Sequence, residues 1–184
     1  MRVIAGTAKG RRLASPRGSS VRPSSERVRS AVFSTLESAG ADLGRVLDLY
    51  AGTGSFGIEA LSRGVGWVDF VEQDPKHAAV IKANLTATGL EGRARVYRRS
   101  VERALDSFED TYGVIFLDPP YADSDLGVVM ERLARSQLAG EDTTIVVEHS
   151  RHTTLGDSYG GFTRGKMRRY GDTVVSIYHQ EVTS

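Results

Sequence analysis

The chain lacks cysteine altogether, which excludes disulfides and thiolate metal sites. It also lacks a long apolar run. No stretch approaches the roughly 18 residues a membrane span needs, so no membrane partner is expected. No short hydrophobic core of a secretory leader follows Met1, which makes the cytoplasm the expected location. Histidine is scarce, and His77, His149, His152 and His179 show no metal-ligand spacing, so no metal is expected. Acidic residues are nearly absent from the first 29 positions, where Glu26 stands alone. What remains is ordinary for a folded domain. At 40% hydrophobic and 26% charged, a chain of 184 residues can bury a real core.

The charge is unevenly spread. Residues 1–29 hold eight Lys and Arg against one acid, a net +7, while the rest of the chain carries −6. Such an arm on a mildly acidic body points to a polyanion, and nucleic acid is favoured over a merely solvated segment. Seven of the eight cations are Arg, the side chain best shaped for phosphate. Arg2, Lys9, Arg11, Arg12, Arg22, Arg27 and Arg29 are the candidate nucleic-acid-binding residues. Val3-Ile4 and Arg12-Leu13-Ala14 are expected to pair as a short hairpin around Gly6–Gly10. Ser24 is the expected N-cap of a helix with Val28, Val32, Leu36 and Ala39 on its apolar stripe, stopped at Gly40.

From Arg45 onward, strands and helices alternate. Strands are expected at Val46–Tyr50, Trp67–Glu72, Ala94–Tyr97, Val114–Asp118 and Thr143–Glu148. Helices are expected at Ser55–Arg63, Pro75–Thr88, Val101–Phe108 and Ser124–Gln137. This alternation implies an α/β, Rossmann-like, doubly wound parallel sheet. The end differs: Phe162–Tyr170 and Thr173–His179 flank Gly171-Asp172 as a hairpin. The chain divides into a basic arm and helix, 1–41, and a catalytic domain, 42–184.

Two stretches carry chemistry. Asp48-Leu49-Tyr50-Ala51-Gly52-Thr53-Gly54-Ser55-Phe56-Gly57 runs from a strand through a glycine-rich turn into a helix. Bare glycines let a ligand approach the backbone, and Glu72 at the next strand end could accept from ribose hydroxyls. A dinucleotide or S-adenosylmethionine could bind there. Asp48 suits the cationic methionine end of the latter and is out of place beside a pyrophosphate. The second stretch is Ile115-Phe116-Leu117-Asp118-Pro119-Pro120-Tyr121. The prolines end the strand and leave a stiff corner at its carboxyl end. Asp118 and the Pro119 carbonyl could accept both N–H groups of an exocyclic amine, and Tyr121 could stack on the base. Such a pair would aim the amine lone pair at a methyl donor.

Asp118-Pro119-Pro120-Tyr121 after Asp48-x-x-x-Gly52-x-Gly54 resembles the class I S-adenosylmethionine-dependent amino-methyltransferases. Their sheet is mostly parallel, seven-stranded, and ends in an antiparallel hairpin. Arg2-Val3-Ile4-Ala5-Gly6, Gly10-Arg11-Arg12-Leu13, Arg22-Pro23-Ser24-x-x-Arg27-Val28-Arg29 and Tyr170-Gly171-Asp172-Thr173 resemble the bacterial RsmD family over nearly the whole chain. That resemblance implies transfer of methyl from S-adenosylmethionine to N2 of a guanine in 16S rRNA, on an assembled or nearly assembled small subunit, by a monomer. The candidate cofactor residues are Asp48, Tyr50, Gly52, Gly54, Glu72 and Ser100; the candidate catalytic residues are Asp118, Pro119, Pro120 and Tyr121. Ser100 stands where such enzymes often carry Asp or Asn for the adenine amine. Ser24 stands where Thr is commoner. A DNA adenine-N6 methyltransferase shares the Asp-Pro-Pro-Tyr motif, but no segment is long enough for a separate DNA-recognition domain. A nicotinamide oxidoreductase would leave Asp118–Tyr121 unused. A non-catalytic RNA-binding assembly protein is the remaining alternative.

Overall fold

The computed structural model describes residues 1–16, 25–120 and 125–180. Arg22, Ser24 and Tyr121 lie outside the described residues. So does Ser124, the expected start of the fourth helix of the alternating region.

The order of elements is α1 (Glu26–Ser38), β1 (Arg45–Leu49), α2 (Ser55–Ser62), β2 (Trp67–Val71), α3 (Pro75–Thr88), β3 (Ala94–Tyr97), α4 (Val101–Ser107), β4 (Tyr112–Leu117), α5 (Leu126–Ala134), β5 (Ala139–Ser150), β6 (Ser158–Tyr159), β7 (Phe162–Tyr170) and β8 (Thr173–Gln180). One sheet runs β3-β2-β1-β4-β5-β8-β7-β6. The first five strands in that order are parallel, and β8, β7 and β6 are antiparallel. The sheet is therefore the mostly parallel, hairpin-ended one expected. It carries one further edge strand, β6, whose two residues are too few to show any periodicity. The strand order reverses between β1 and β4, the switch point where ligands of such sheets bind.

Local chemistry sets the boundaries. All six residues of β4 are buried, and the strand stops before Asp118 because Pro119 and Pro120 cannot extend a ladder. Asp74 caps α3 through the N–H groups of Lys76 and His77, Pro75 fills its first turn, and left-handed Gly89 ends it. The cap of α1 is Ser25, whose hydroxyl accepts from Val28 N–H at 3.2 Å, rather than Ser24. α5 is shorter than 124–137, since the Ser136 hydroxyl turns back onto the Leu133 carbonyl at 2.8 Å. β5 is longer than expected, being paired to β4 on one side and β8 on the other.

Apolar side chains form two layers, one on each face of the sheet. Leu47, Leu49, Ile115, Leu117, Ile145 and Val147 meet α4 and α5 on one face. On the other, Val46, Phe70, Phe116 and Val146 meet α1, α2 and α3. There Phe116 packs against Phe56 and Phe33, with ring centroids 4.9 and 5.7 Å apart.

The N-terminal arm is part of this second layer. Val3 N–H donates to the Arg11 carbonyl and Gly10 N–H to that of Val3, both at 2.9 Å, and Arg2 and Arg12 form an antiparallel bridge. The expected hairpin is thus present in miniature. Its Val3, Ala8 and Leu13 share the core cluster with α1 and the sheet. It lies over the outer side of α2, which is why all eight residues of that helix are buried. The Glu59 carboxylate accepts from Ile4 N–H at 2.8 Å and Ala5 N–H at 3.0 Å, while the Ser62 hydroxyl accepts from Ala8 N–H at 2.9 Å and donates to the Ala5 carbonyl. The 41/42 division marks a change in charge, and packing is continuous across it. No helix among the described residues is long and apolar enough to cross a membrane.

Candidate functional site

Strand register places the site residues. Leu49 is level with Val71 on β2 and with Leu117 on β4. One step further, Tyr50, Glu72 and Asp118 stand side by side at the carboxyl ends of three adjacent strands. Leu117 is level with Val147 on β5, so Glu148 joins the row beyond Asp118. Side chains two residues apart share a face. Asp48, Glu72, Asp118 and Glu148 therefore follow Val46, Phe70, Phe116 and Val146 on the face covered by α1, α2 and α3.

The glycine turn has three glycines with three separate jobs. Gly52 (φ 58°) is uncrowded: among the described residues, a Cβ there would meet the Tyr50 carbonyl oxygen at 3.9 Å and nothing nearer. Gly54 (φ 77°) starts α2 in the left-handed conformation and packs on Ile81 and Ile58. Gly57 belongs to the core, since a Cβ there would sit 2.3 Å from the Phe70 ring. Tyr50 is the one non-glycine residue with positive φ, 57°, among the described residues. Bulky residues enter that region at a cost of about 1–2 kcal/mol, and here the strain sits between Glu72 and Asp118.

The acids are not bare strand ends. Asp48 is only 2% exposed, and its Oδ2 accepts from Gly57 N–H at 2.9 Å. It sits one residue inside the strand and ties down the first turn of α2. Burial pushes its pKa up to about 8, the Gly57 hydrogen bond opposes that rise, and the nearby Glu72 charge adds to it. Glu72 accepts from Gly52 N–H and from Asp74 N–H, both at 2.8 Å, one on each carboxylate oxygen. Each oxygen keeps a second lone pair for a ligand hydroxyl. Ser100 caps α4, its hydroxyl accepting from Arg103 N–H at 3.4 Å, and is half-buried. At the corner, Asp118 is half-buried, Pro119 buried and Pro120 exposed.

The cations divide into two groups. Lys9, Arg11, Arg12 and Arg27 are exposed and make no ion pair among the described residues, and Arg2 is exposed with Glu26 3.8 Å away. Arg29 is a correction to the phosphate-binding set. It is fully buried, and its Nη2 donates to the Arg2 carbonyl at 2.7 Å. Burial pulls its pKa down, while Glu59, Glu26 and Glu148 favour its charge. Its position in α1 puts it on the stripe of Val28, Val32, Phe33 and Leu36, so it fastens the arm and cannot reach a phosphate.

Two features of the site escape the sequence patterns. Asn84 of α3 is 2% exposed and clamps two segments: its Oδ1 accepts from Ala14 N–H at 2.8 Å, and its Nδ2 donates to the Ala14 and Thr53 carbonyls at 3.1 and 3.0 Å. It joins the end of the arm to the glycine turn. Its one signal in the sequence is a polar residue beside Ile81 and Leu85 on the apolar side of a helix. Glu148, 5% exposed next to Asp118 in the strand-end row, is hidden in a strand rich in β-branched residues.

Comparisons with known proteins place the chain in a family. The family model described as Conserved hypothetical protein 95 matches residues 1–179. YlbH of Bacillus subtilis is 40% identical over 181 residues, covering 97% of this chain and 98% of that protein. Ribosomal RNA small subunit methyltransferase D of Escherichia coli K12 is 28% identical, covering 98% of this chain and 90% of that protein. Among solved structures, yhhF of Escherichia coli superimposes with a TM-score of 0.84 at 28% identity, covering 98% of each chain. A Thermus thermophilus protein gives 0.84 at 33% identity, covering 97% of this chain and 99% of that one. The Rossmann-like class I fold is thereby shared across these proteins, and the chain belongs to the Conserved hypothetical protein 95 family, the RsmD family of rRNA methyltransferases.

Proposed function

We propose that the protein transfers a methyl group from S-adenosylmethionine to the exocyclic N2 of a guanine in 16S rRNA, with the small ribosomal subunit as substrate. The observation that carries this reading is the row of Tyr50, Glu72 and Asp118 at the switch point, with Asp48 beneath it. Relatives named ribosomal RNA small subunit methyltransferase D support the RNA as substrate.

The residues fit the cofactor and resist a dinucleotide. A pyrophosphate would need the N–H groups at the start of α2, but Gly57 N–H is already given to Asp48. The surrounding carboxylates repel phosphate and attract a cation. S-adenosylmethionine, when bound, supplies an electrophilic methyl on a sulfonium. Gly52 leaves room for it against the turn, Asp48 faces its cationic end, and Glu72 accepts from its ribose. Ser100 is the proposed partner of its adenine amine.

At the corner, Asp118 and the Pro119 carbonyl accept the two N–H groups of the amine. They draw its lone pair out of conjugation and fix its direction. Held there, the nitrogen would be aimed at the methyl that bound S-adenosylmethionine would supply, with the sulfur keeping the bonding electrons, and the extra proton on the methylated nitrogen would leave to water. Tyr121, outside the described residues, is the expected stacking partner of the base. A paired guanine must first leave its helix, at a cost of a few kcal/mol, and Lys9, Arg11, Arg12 and Arg27 hold the flanking phosphates.

Calorimetric titration tests the cofactor assignment. The protein should bind S-adenosylmethionine and not NAD. A bound cation favours the ionised form of Asp48. Asp48→Asn keeps an acceptor for Gly57 N–H but cannot ionise, so it should weaken S-adenosylmethionine roughly tenfold, as expected for a charge-assisted contact. The same variant has a signed effect on stability. Folded Asp48 without ligand keeps its proton up to about pH 8, against 3.8 ordinarily. Its stabilisation is therefore complete below the lower value and lost as pH rises through the higher. The stability of Asp48→Asn relative to wild type should rise across that window in thermal melts. NAD binding, or unchanged affinity in Asp48→Asn, contradicts the assignment.

A further inference from the structure

A shallow open groove separates α1 from the hairpin β7–β8. Ala31, Val32 and Thr35 line one side, Lys166, Arg168 and Tyr170 the other, and Val175 and Ile177 the floor. Register ties it to the corner. Arg168 is level with Val175, Val175 with Glu148, and Glu148 with Asp118 one step past Leu117. Residues directly opposite across a ladder share a face, and strands lie ~4.8 Å apart. Arg168 thus stands on the same row and face as Asp118, about 15 Å away across three strand spacings. Lys166 shares the face of Arg168 two residues along β7, level with Ile177 and Val146.

The two cations are exposed, and among the described residues neither makes an ion pair. Two other cations of the same half of the sheet are paired, Arg164 with Asp157 and Arg151 with Asp172, while Arg169 Nε donates to the Gly171 carbonyl at 2.8 Å. Arg27, one helical turn above Ala31, adds a further exposed charge at the upper end. Half-buried Tyr170 offers a ring beside Arg168.

We propose that this groove is a second RNA contact, in which Lys166 and Arg168 bind phosphates of the strand that flanks the target nucleotide. The inference rests on the RNA methyltransferase reading and extends it from the N-terminal hairpin to the groove between α1 and β7–β8, with Arg27 of α1 bordering that groove. Arm and groove would then hold the RNA on opposite sides of the corner, with the target base between them.

The test uses the Lys166→Ala/Arg168→Ala variant, whose changed side chains are exposed. Binding to unmethylated small subunits and to protein-free 16S rRNA is measured over a range of salt, with S-adenosylmethionine affinity as the check on folding. Losing two phosphate contacts should lower the slope of log affinity against log salt by about 1–2 on both RNAs. The KM for subunits should rise roughly tenfold, and cofactor affinity should stay at wild type. An unchanged slope overturns the proposal. Weaker binding to subunits with unchanged binding to protein-free RNA also overturns it, and assigns the groove to a ribosomal protein. If wild type binds RNA but transfers no methyl, the catalytic reading falls while the slope comparison still decides the groove. If wild type binds neither RNA, both fall.

Discussion

Asp118→Ala is expected to slow methyl transfer by about 10²–10³-fold while changing S-adenosylmethionine affinity less than about threefold, the range seen when one preorganised electrostatic partner is removed from a reacting group. The reason lies in the amine. The lone pair of guanine N2 is delocalised into the ring, so the free base is a weak nucleophile. Two acceptors on a stiff backbone supply both the pull on its N–H groups and the aim. Asp118 sits where β4 stops, and that backbone is held by six buried residues before it and two prolines after it. Asp118→Asn keeps one acceptor and should lose about tenfold, the lower part of what a charged over a neutral acceptor contributes. The expected loss is in kcat, because the alanine variant still binds RNA and cofactor but misdirects the nitrogen. Single-turnover rates at saturating RNA read it directly. Wild-type turnover in Asp118→Ala would remove the corner from the mechanism.

Gly6→Ala is expected to have the second large effect, at a distance from the chemistry. A Cβ at Gly6 would lie 1.7 Å from the Ser62 carbonyl oxygen and 2.2 Å from its carbon, and Gly6 has φ 80°. Ser62 ends a helix that is buried on every side, so it cannot yield. The hairpin must lift, breaking the hydrogen bond from Thr7 N–H to the Ser62 carbonyl and exposing Val3 and Leu13. Exposing two such side chains costs about 3 kcal/mol or more, a fall of roughly 6–12 °C in Tm for a chain of this size. Subunit methylation should fall about 100-fold, with the loss in KM, since phosphate contacts carry most of the affinity for RNA. Cofactor affinity should hold, because Asp48 and Glu72 are anchored from the sheet. A variant with normal KM and normal Tm would show that the arm does not need its seat on α2.

How far the sequence could be read depends on where each signal lies. The ends of β4 and α3 are written locally, in Pro119-Pro120, Asp74-Pro75 and Gly89; α3 falls where expected, and β4 stops at Leu117, one residue before the expected Asp118. The glycine turn and the strand-end acids are likewise set by short-range pattern and topology. The misplaced features depend on what docks from elsewhere. Arg29 counts as a cation in any tally of charge, yet it shares the stripe of Val32 and Phe33 and is buried when α1 lands on the sheet. α2 shows apolar residues on one side, but the hairpin covers its other side through Glu59 and Ser62, contacts more than fifty positions apart. Asp48 reads as an acid at a strand end. Only the fold brings Gly57 N–H down onto it and makes it a buried clamp as well.

The central claim is the identity of the methylated nucleoside. Small subunits, protein-free 16S rRNA and DNA from cells lacking the protein are each incubated with methyl-labelled S-adenosylmethionine and wild-type or Asp118→Ala protein, then digested to nucleosides. The account predicts label in N2-methylguanosine from the small subunits with wild-type protein and almost none with the variant. Label in N6-methyladenine from DNA, or equal label from both proteins, would contradict it.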